Sequence, residues 1–218
     1  MSLSKQLQET KERFVSKAPE AAITTMAEAT EALKASGIDQ KATKKGDKAP
    51  NFQLPNHLGQ TVSSQTLLND GPLVVTFYRG SWCPYCNLEL NAYKNQLAEI
   101  EGLGAKLVAI TPMTPDQSLS HAEKEELPFQ VLSDVGLEVS RQFGLVFQLP
   151  DNLKSLYQNF GIELNKANGN DSWELPIAAT YILGADGTVE YSFVDVDYTK
   201  RADPSEVIEK LKEITANH

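Results

Sequence analysis

Two cysteines, Cys83 and Cys86, are all the thiols this chain has, and they share one motif, Trp82-Cys83-Pro84-Tyr85-Cys86. A thiol reacts as its thiolate, and a free cysteine with a pKa of ~8.5 is mostly protonated at neutral pH. Upstream runs the apolar stretch Leu73-Val74-Val75-Thr76-Phe77-Tyr78, and downstream a helical pattern begins. A CxxC at a strand-to-helix junction puts the first thiol where unpaired N–H groups and the helix dipole favour its ionised form. Pro84 suits the first helical turn, where its missing N–H costs nothing. The second cysteine, one turn along, can close a disulfide on the first. Arg79, four residues before Cys83, is a candidate to add positive charge. The spacing therefore reads as reversible redox chemistry.

Other uses of these residues carry less weight. Structural zinc needs about four ligands, and His57, His121 and His218 are scattered along the chain. No metal or other cofactor is expected. Two buried structural cysteines at this spacing would not require the Trp and Pro between and beside them. Trp82 and Tyr85 read either as contacts for a partner or substrate or as packing around the site, and Glu89 and Glu99 as the solvated face of the following helix.

The elements that must position the pair are legible as periodicities. Residues 3 to 36 lack glycine, and Leu3, Leu7, Phe14, Ile23, Met26, Ala27 and Leu33 lie near helical spacing. They predict a helical arm that buries its stripe on its own domain or across a two-fold axis, so a homodimer stays open. Lys41 to Lys48 carries four lysines among small residues and reads as a solvated linker. Beyond it, strands are expected at Phe52 to Leu54, Leu73 to Tyr78, Leu107 to Ile110 and Phe129 to Leu132. Helices are expected after the CxxC through Leu90, Tyr93, Leu97 and Ile100, then at Asp116 to Leu127, Val135 to Phe143 and Asn152 to Phe160. Asn168 to Asp171 reads as a loop. Gly184-Ala185-Asp186-Gly187 between two apolar strands signals a hairpin. Asp203-Pro204-Ser205-Glu206 opens a final helix with Val207, Ile208, Leu211 and Ile214 inward. Alternation of this kind predicts an α/β fold with helices on both faces of a sheet.

Bulk properties limit the partners. The chain has 218 residues and a net charge of −9, with a sequence pI near 4.9, which argues against nucleic acid and anionic membrane surfaces. No stretch reaches the ~18 apolar residues of a membrane span. The first residues lack the apolar core of a secretory leader, and a lone CxxC suits a reducing compartment, so a cytoplasmic location is expected.

The stretches Gly46-Asp47-Lys48-Ala49-Pro50-Asn51-Phe52-Gln53-Leu54, Val74-Val75-Thr76-Phe77-Tyr78, Val131-Leu132-Ser133-Asp134, Phe143-Gly144-Leu145 and Ala179-Thr180-Tyr181-Ile182-Leu183 with Asp186-Gly187 carry a resemblance. In content and order the chain resembles the peroxiredoxin (alkyl hydroperoxide reductase/thiol-specific antioxidant) branch of the thioredoxin-fold superfamily, and within it the proteins bearing a CxxC. The resemblance covers about residues 46 to 215. It implies a thioredoxin-like fold, a central mixed sheet flanked by helices, spanning 46–218, with residues 1–45 as a helical N-terminal extension and linker. It implies an antioxidant peroxidase that reduces hydroperoxides through a Cys83–Cys86 disulfide, recharged by a thioredoxin- or glutathione-type donor.

The family's motif, Pro-x-x-x-Thr-x-x-Cys, counted from Phe77-Tyr78, puts Arg79 at the Pro position, Cys83 at the Thr position and Cys86 at the peroxidatic cysteine. The strand position that usually holds the family's arginine is Ala178. Pro176 falls two residues before the cis-proline position of thioredoxin-like reductases. Charge stabilisation during peroxide cleavage would then fall to Arg79 or Arg141. In the thioredoxin register Cys83 is an exposed nucleophile and Cys86 resolves; in the peroxiredoxin register the roles reverse. The sequence leaves both open. It also leaves open a thiol–disulfide reductase without peroxidase activity, and a non-catalytic redox sensor working through the arm.

Overall fold

A computed structural model describes residues 1–216. His218, the third of the scattered histidines, lies outside the described residues. The chain opens with α1 (Leu3–Lys17), α2 (Glu20–Ala35) and one turn, α3 (Ile38–Lys41). A hairpin, β1 (Gln53–Pro55) and β2 (Thr61–Ser63), leads through α4 (Ser64–Leu68) to β3 (Leu73–Phe77) and α5 (Pro84–Gly102). Then follow β4 (Lys106–Thr111), α6 (Pro115–Glu125), β5 (Gln130–Ser133), α7 (Glu138–Gln142), β6 (Val146–Gln148), α8 (Asp151–Asn159) and α9 (Leu164–Asn168). The chain ends through β7 (Glu174–Pro176), β8 (Ala179–Leu183), β9 (Val189–Val194) and α10 (Pro204–Thr215).

The central sheet has the order β5-β4-β3-β8-β9. β3 pairs parallel with β4 and antiparallel with β8, so the sheet is mixed. The expected thioredoxin-like α/β architecture is the one observed. β3 is buried from end to end, and its side chains divide by the two-residue period of a strand. Val74 and Tyr78 join the core under α1, α5, α6 and α10, while Leu73, Val75 and Phe77 join the core on the opposite face. As the central strand it aims its carboxyl end, and hence the CxxC, at the top of the sheet.

The arm is two helices, α1 and α2. Ala18 and Pro19 break it, because proline lacks the N–H that would continue the ladder. Leu3 and Leu7 are buried in the chain's own core, where α1 packs on α5. The linker is solvated, as expected, and is also pinned to the domain. Its lysines are exposed, yet Ala42 is buried, Thr43 N donates to Phe143 O at 2.9 Å and Gly46 N donates to Val189 O at 2.8 Å. Gly144, at φ +75°, lets the linker come that close, since a Cβ there would lie 3.1 Å from Ala42 Cα. The short β6, β7 and α9 had no periodicity to announce them; Asn168 closes α9, and Gly169 caps it in the left-handed conformation.

Candidate active site

β3 ends at Phe77, Tyr78 N still donates to Ile110 O at 2.9 Å, and the chain turns through residues 79–82 into α5. Cys83 is the N-cap of α5, Pro84 fills its first position and Cys86 sits in its first turn. Asn87 Nδ2 reaches back to Ser81 O at 2.9 Å and fixes the turn. Gly80 has to be glycine here, because a Cβ would overlap the Trp82 indole lying across it. Both thiols are free and within hydrogen-bonding reach of each other. The exposed Cys83 of the thioredoxin register is not found: Cys83 is 1% exposed and Cys86 0%. They belong to the same core cluster as Leu3 and Leu7 of α1 and the aromatic side chains Tyr78, Tyr85 and Tyr93.

Two guanidiniums serve this buried pair. Arg201, only 7% exposed, points Nη2 at Cys86 Sγ (3.2 Å) and Cys83 Sγ (3.8 Å). Its Nη1 donates to Glu89 Oε2 at 2.7 Å and its Nε to Tyr198 O at 3.0 Å. Thr180 Oγ1 donates to the other oxygen of Glu89 at 3.3 Å and sits 3.0 Å from Thr76 Oγ1, which ties the network to the central strands. Arg79, 4% exposed, donates to Tyr157 Oη, and its guanidinium lies 4.9 Å from the Trp82 ring centroid and 4.8 Å from that of Tyr198. Such faces stabilise a desolvated cation.

Burial pushes both thiols up, but they part company. At Cys83 the hydrogen bond from Cys86 and the charges of Arg79 and Arg201 outweigh burial and hold the thiol well below the ordinary range. Cys86, buried and acting as the donor to Cys83, is pushed well above it. Burial also raises Glu89, against the pull of Arg201. Charge counting gives the same picture: two buried cations are balanced by the Glu89 carboxylate and one thiolate. With both thiols protonated, one positive charge would be left buried and unmatched.

The pH dependence follows. A depressed thiol stays ionised until pH falls through its lowered pKa. The ratio of iodoacetamide alkylation rates at pH 8 and pH 6 should therefore be near one, whereas a thiol of pKa ~8.5 would slow by roughly 80-fold. A large ratio would mean that the arginines do not ionise Cys83.

Of the residues singled out in the sequence, Cys83, Cys86 and Arg79 meet at this site. Arg141 does not: it pairs with Glu174 at 2.9 Å on the surface. Glu89 is not on a solvated face but 2% exposed beneath Arg201, while Glu99 is exposed and meets Lys212 at 3.2 Å. Trp82 packs against Tyr157 with ring centroids 5.4 Å apart, and Tyr85 against Tyr198 at 5.5 Å. Ala178 is buried near Arg79, with no cation of its own. Sequence reading missed Arg201, Glu89, Tyr157 and Tyr198. The one usable signal was scarcity, since the chain has four arginines, Arg13, Arg79, Arg141 and Arg201. Among the described residues no three His, Cys, Asp or Glu side chains group as metal ligands, and no helix is long and apolar enough to cross a membrane.

Residues 45–192 match the sequence profile of the AhpC/TSA family. The chain is 30% identical over 152 residues to chloroplastic peroxiredoxin Q of rice (Oryza sativa subsp. japonica), covering 68% of this chain and 58% of the relative. It thus spans less than two thirds of that relative's length. Peroxiredoxin Bcp of Escherichia coli K12 is 32% identical over 102 residues, 47% of this chain and 65% of Bcp. Among solved structures, peroxidoxin BcpB from Mycobacterium tuberculosis superposes with a TM-score of 0.63 at 22% identity, covering 79% of this chain and 98% of that one. A peroxiredoxin-like protein from Aquifex aeolicus gives 0.62 at 19% identity, covering 79% and 88%. α1, α2, Arg201 and α10 lie outside the profile match.

Proposed function

This chain belongs to the AhpC/TSA family, and from that premise we propose that it is a thiol-dependent peroxidase working through Cys83 and Cys86. The observation that carries the reading is the paired thiols under two buried guanidiniums, with Arg201 3.2 Å from Cys86 Sγ. The Cys83 thiolate attacks one oxygen of a hydroperoxide; an S–O bond forms as the O–O bond breaks. The second oxygen leaves as alkoxide or hydroxide, its charge developing beside the guanidiniums, and takes the proton of Cys86. Cys83 is then a sulfenic acid and Cys86 a thiolate. Cys86 attacks the Cys83 sulfur, the S–S bond forms, and hydroxide departs to be protonated to water. A dithiol of thioredoxin type, or two glutathione molecules, returns two electrons and restores the pair.

Guanidiniums near the departing oxygen act where charge develops, which is what separates peroxide reduction from simple thiol exchange. Arg201 thereby fills the part that Ala178 leaves vacant. Stopped-flow mixing of reduced protein with hydrogen peroxide, followed by tryptophan fluorescence from Trp82 beside the thiols, tests the proposal. A second-order rate about a hundredfold or more above a free thiol at equal thiolate fraction is expected. A rate no better than the free thiol would leave a thiol–disulfide reductase as the reading.

A further inference from the structure

Beside Arg79, the arm and the domain flank a half-open cavity of about 410 Å³. Ala29 and Leu33 of α2 form one wall, Phe147 of β6 and Leu153 of α8 another, and Ile177 and Ala178 the floor. Arg79 is the one charged residue among the described residues that line it. Its Nε is buried without any hydrogen-bond partner, and its one hydrogen bond among the described residues goes to Tyr157. A buried donor left without an acceptor is a costly arrangement that a ligand oxygen would relieve.

We propose that this cavity binds a medium- to long-chain carboxylate, its tail against the α2 wall and its head on Arg79. The size suits a small ligand, since about 410 Å³ falls in the range of small-molecule sites. Arg79 is the single charged anchor in a largely apolar lining, and a planar carboxylate matches the guanidinium fork better than a dianion does. The α2 wall lies outside the residues that the family profile matches, whereas Arg79, Phe147, Leu153, Ile177 and Ala178 lie within them. The proposal does not depend on the peroxidase reading.

Calorimetric titration of the reduced full chain with dodecanoate and with 1-dodecanol separates head from tail. Dodecanoate is expected to bind at least tenfold more tightly than the alcohol. Arg79→Met should erase that preference and Arg79→Lys should keep part of it. Ala29→Phe, which fills the cavity, should weaken dodecanoate at least tenfold, with circular dichroism confirming the fold; Leu33→Phe on the same wall replaces it if Ala29→Phe does not fold. Equal affinity for acid and alcohol in the wild-type protein, unchanged binding in the filled-cavity variant, or no binding of dodecanoate at millimolar concentration would each overturn the proposal.

Discussion

Arg201→Met is expected to slow the reaction with hydrogen peroxide by about 10²–10³, the usual cost of removing a donor aimed at developing charge. It should also destabilise the fold. Glu89 sits 2% exposed beneath Arg201, held by a 2.7 Å contact, and without the guanidinium its carboxylate keeps only the Thr180 hydroxyl. Breaking a buried pair from one side costs about 3–5 kcal/mol, or roughly 6–20 °C of melting temperature for a chain of this size.

The penalty has a sign in pH. Burial already pushes Glu89 up, and removing Arg201 takes away the main force holding it down. A carboxyl whose folded pKa lies above its unfolded value penalises the folded state once pH rises past the unfolded value. The gap between variant and wild type should therefore be widest at neutral pH and close towards pH ~4. Adding Glu89→Gln to Arg201→Met should recover most of the stability and none of the peroxide rate. Wild-type peroxide kinetics in Arg201→Met would remove Arg201 from the reaction altogether.

The second large effect divides the cysteines. Cys83→Ser should abolish the first turnover with peroxide, because the serine hydroxyl cannot ionise under the two guanidiniums. Cys86→Ser should still react once and stop as a sulfenic acid, which dimedone traps and mass spectrometry locates at residue 83. The argument is that Cys86 donates to Cys83 and both cations then favour charge on Cys83. Dimedone adduct on Cys86 in the Cys83→Ser protein, with none on Cys83 in the converse variant, would assign the attack to Cys86. The peroxiredoxin register would then govern despite the N-cap position of Cys83.

How much of this was readable in advance varies with the range of the contacts. The strand Leu73–Phe77, the helix that starts at Pro84 and the final helix from Pro204 follow from periodicity, a Pro at N1 and an Asp N-cap whose side chain does accept from Ser205 N. Pro19 separates the two apolar stripes of the arm, and the helix breaks there. Glu89 was misplaced for an instructive reason. It lies on a helix whose outward and inward faces are weakly contrasted, and a carboxylate is assigned to water by default. Its burial becomes intelligible only once a cation is seen above it.

The sequence by itself determined the reacting atoms and their place at the start of a helix. Two thiols three residues apart at a strand-to-helix junction fall within one helical turn, and a contact that short is set by local backbone geometry. Only the tertiary structure decided what surrounds them. Arg201 is 115 residues along the chain from Cys86, and Arg79 meets Tyr157 from 78 residues away. The arm folds back so that α1 packs on α5 and α2 walls the cavity beside Arg79. None of these contacts has a spacing to read, because each depends on where separate elements pack rather than on how many residues separate them.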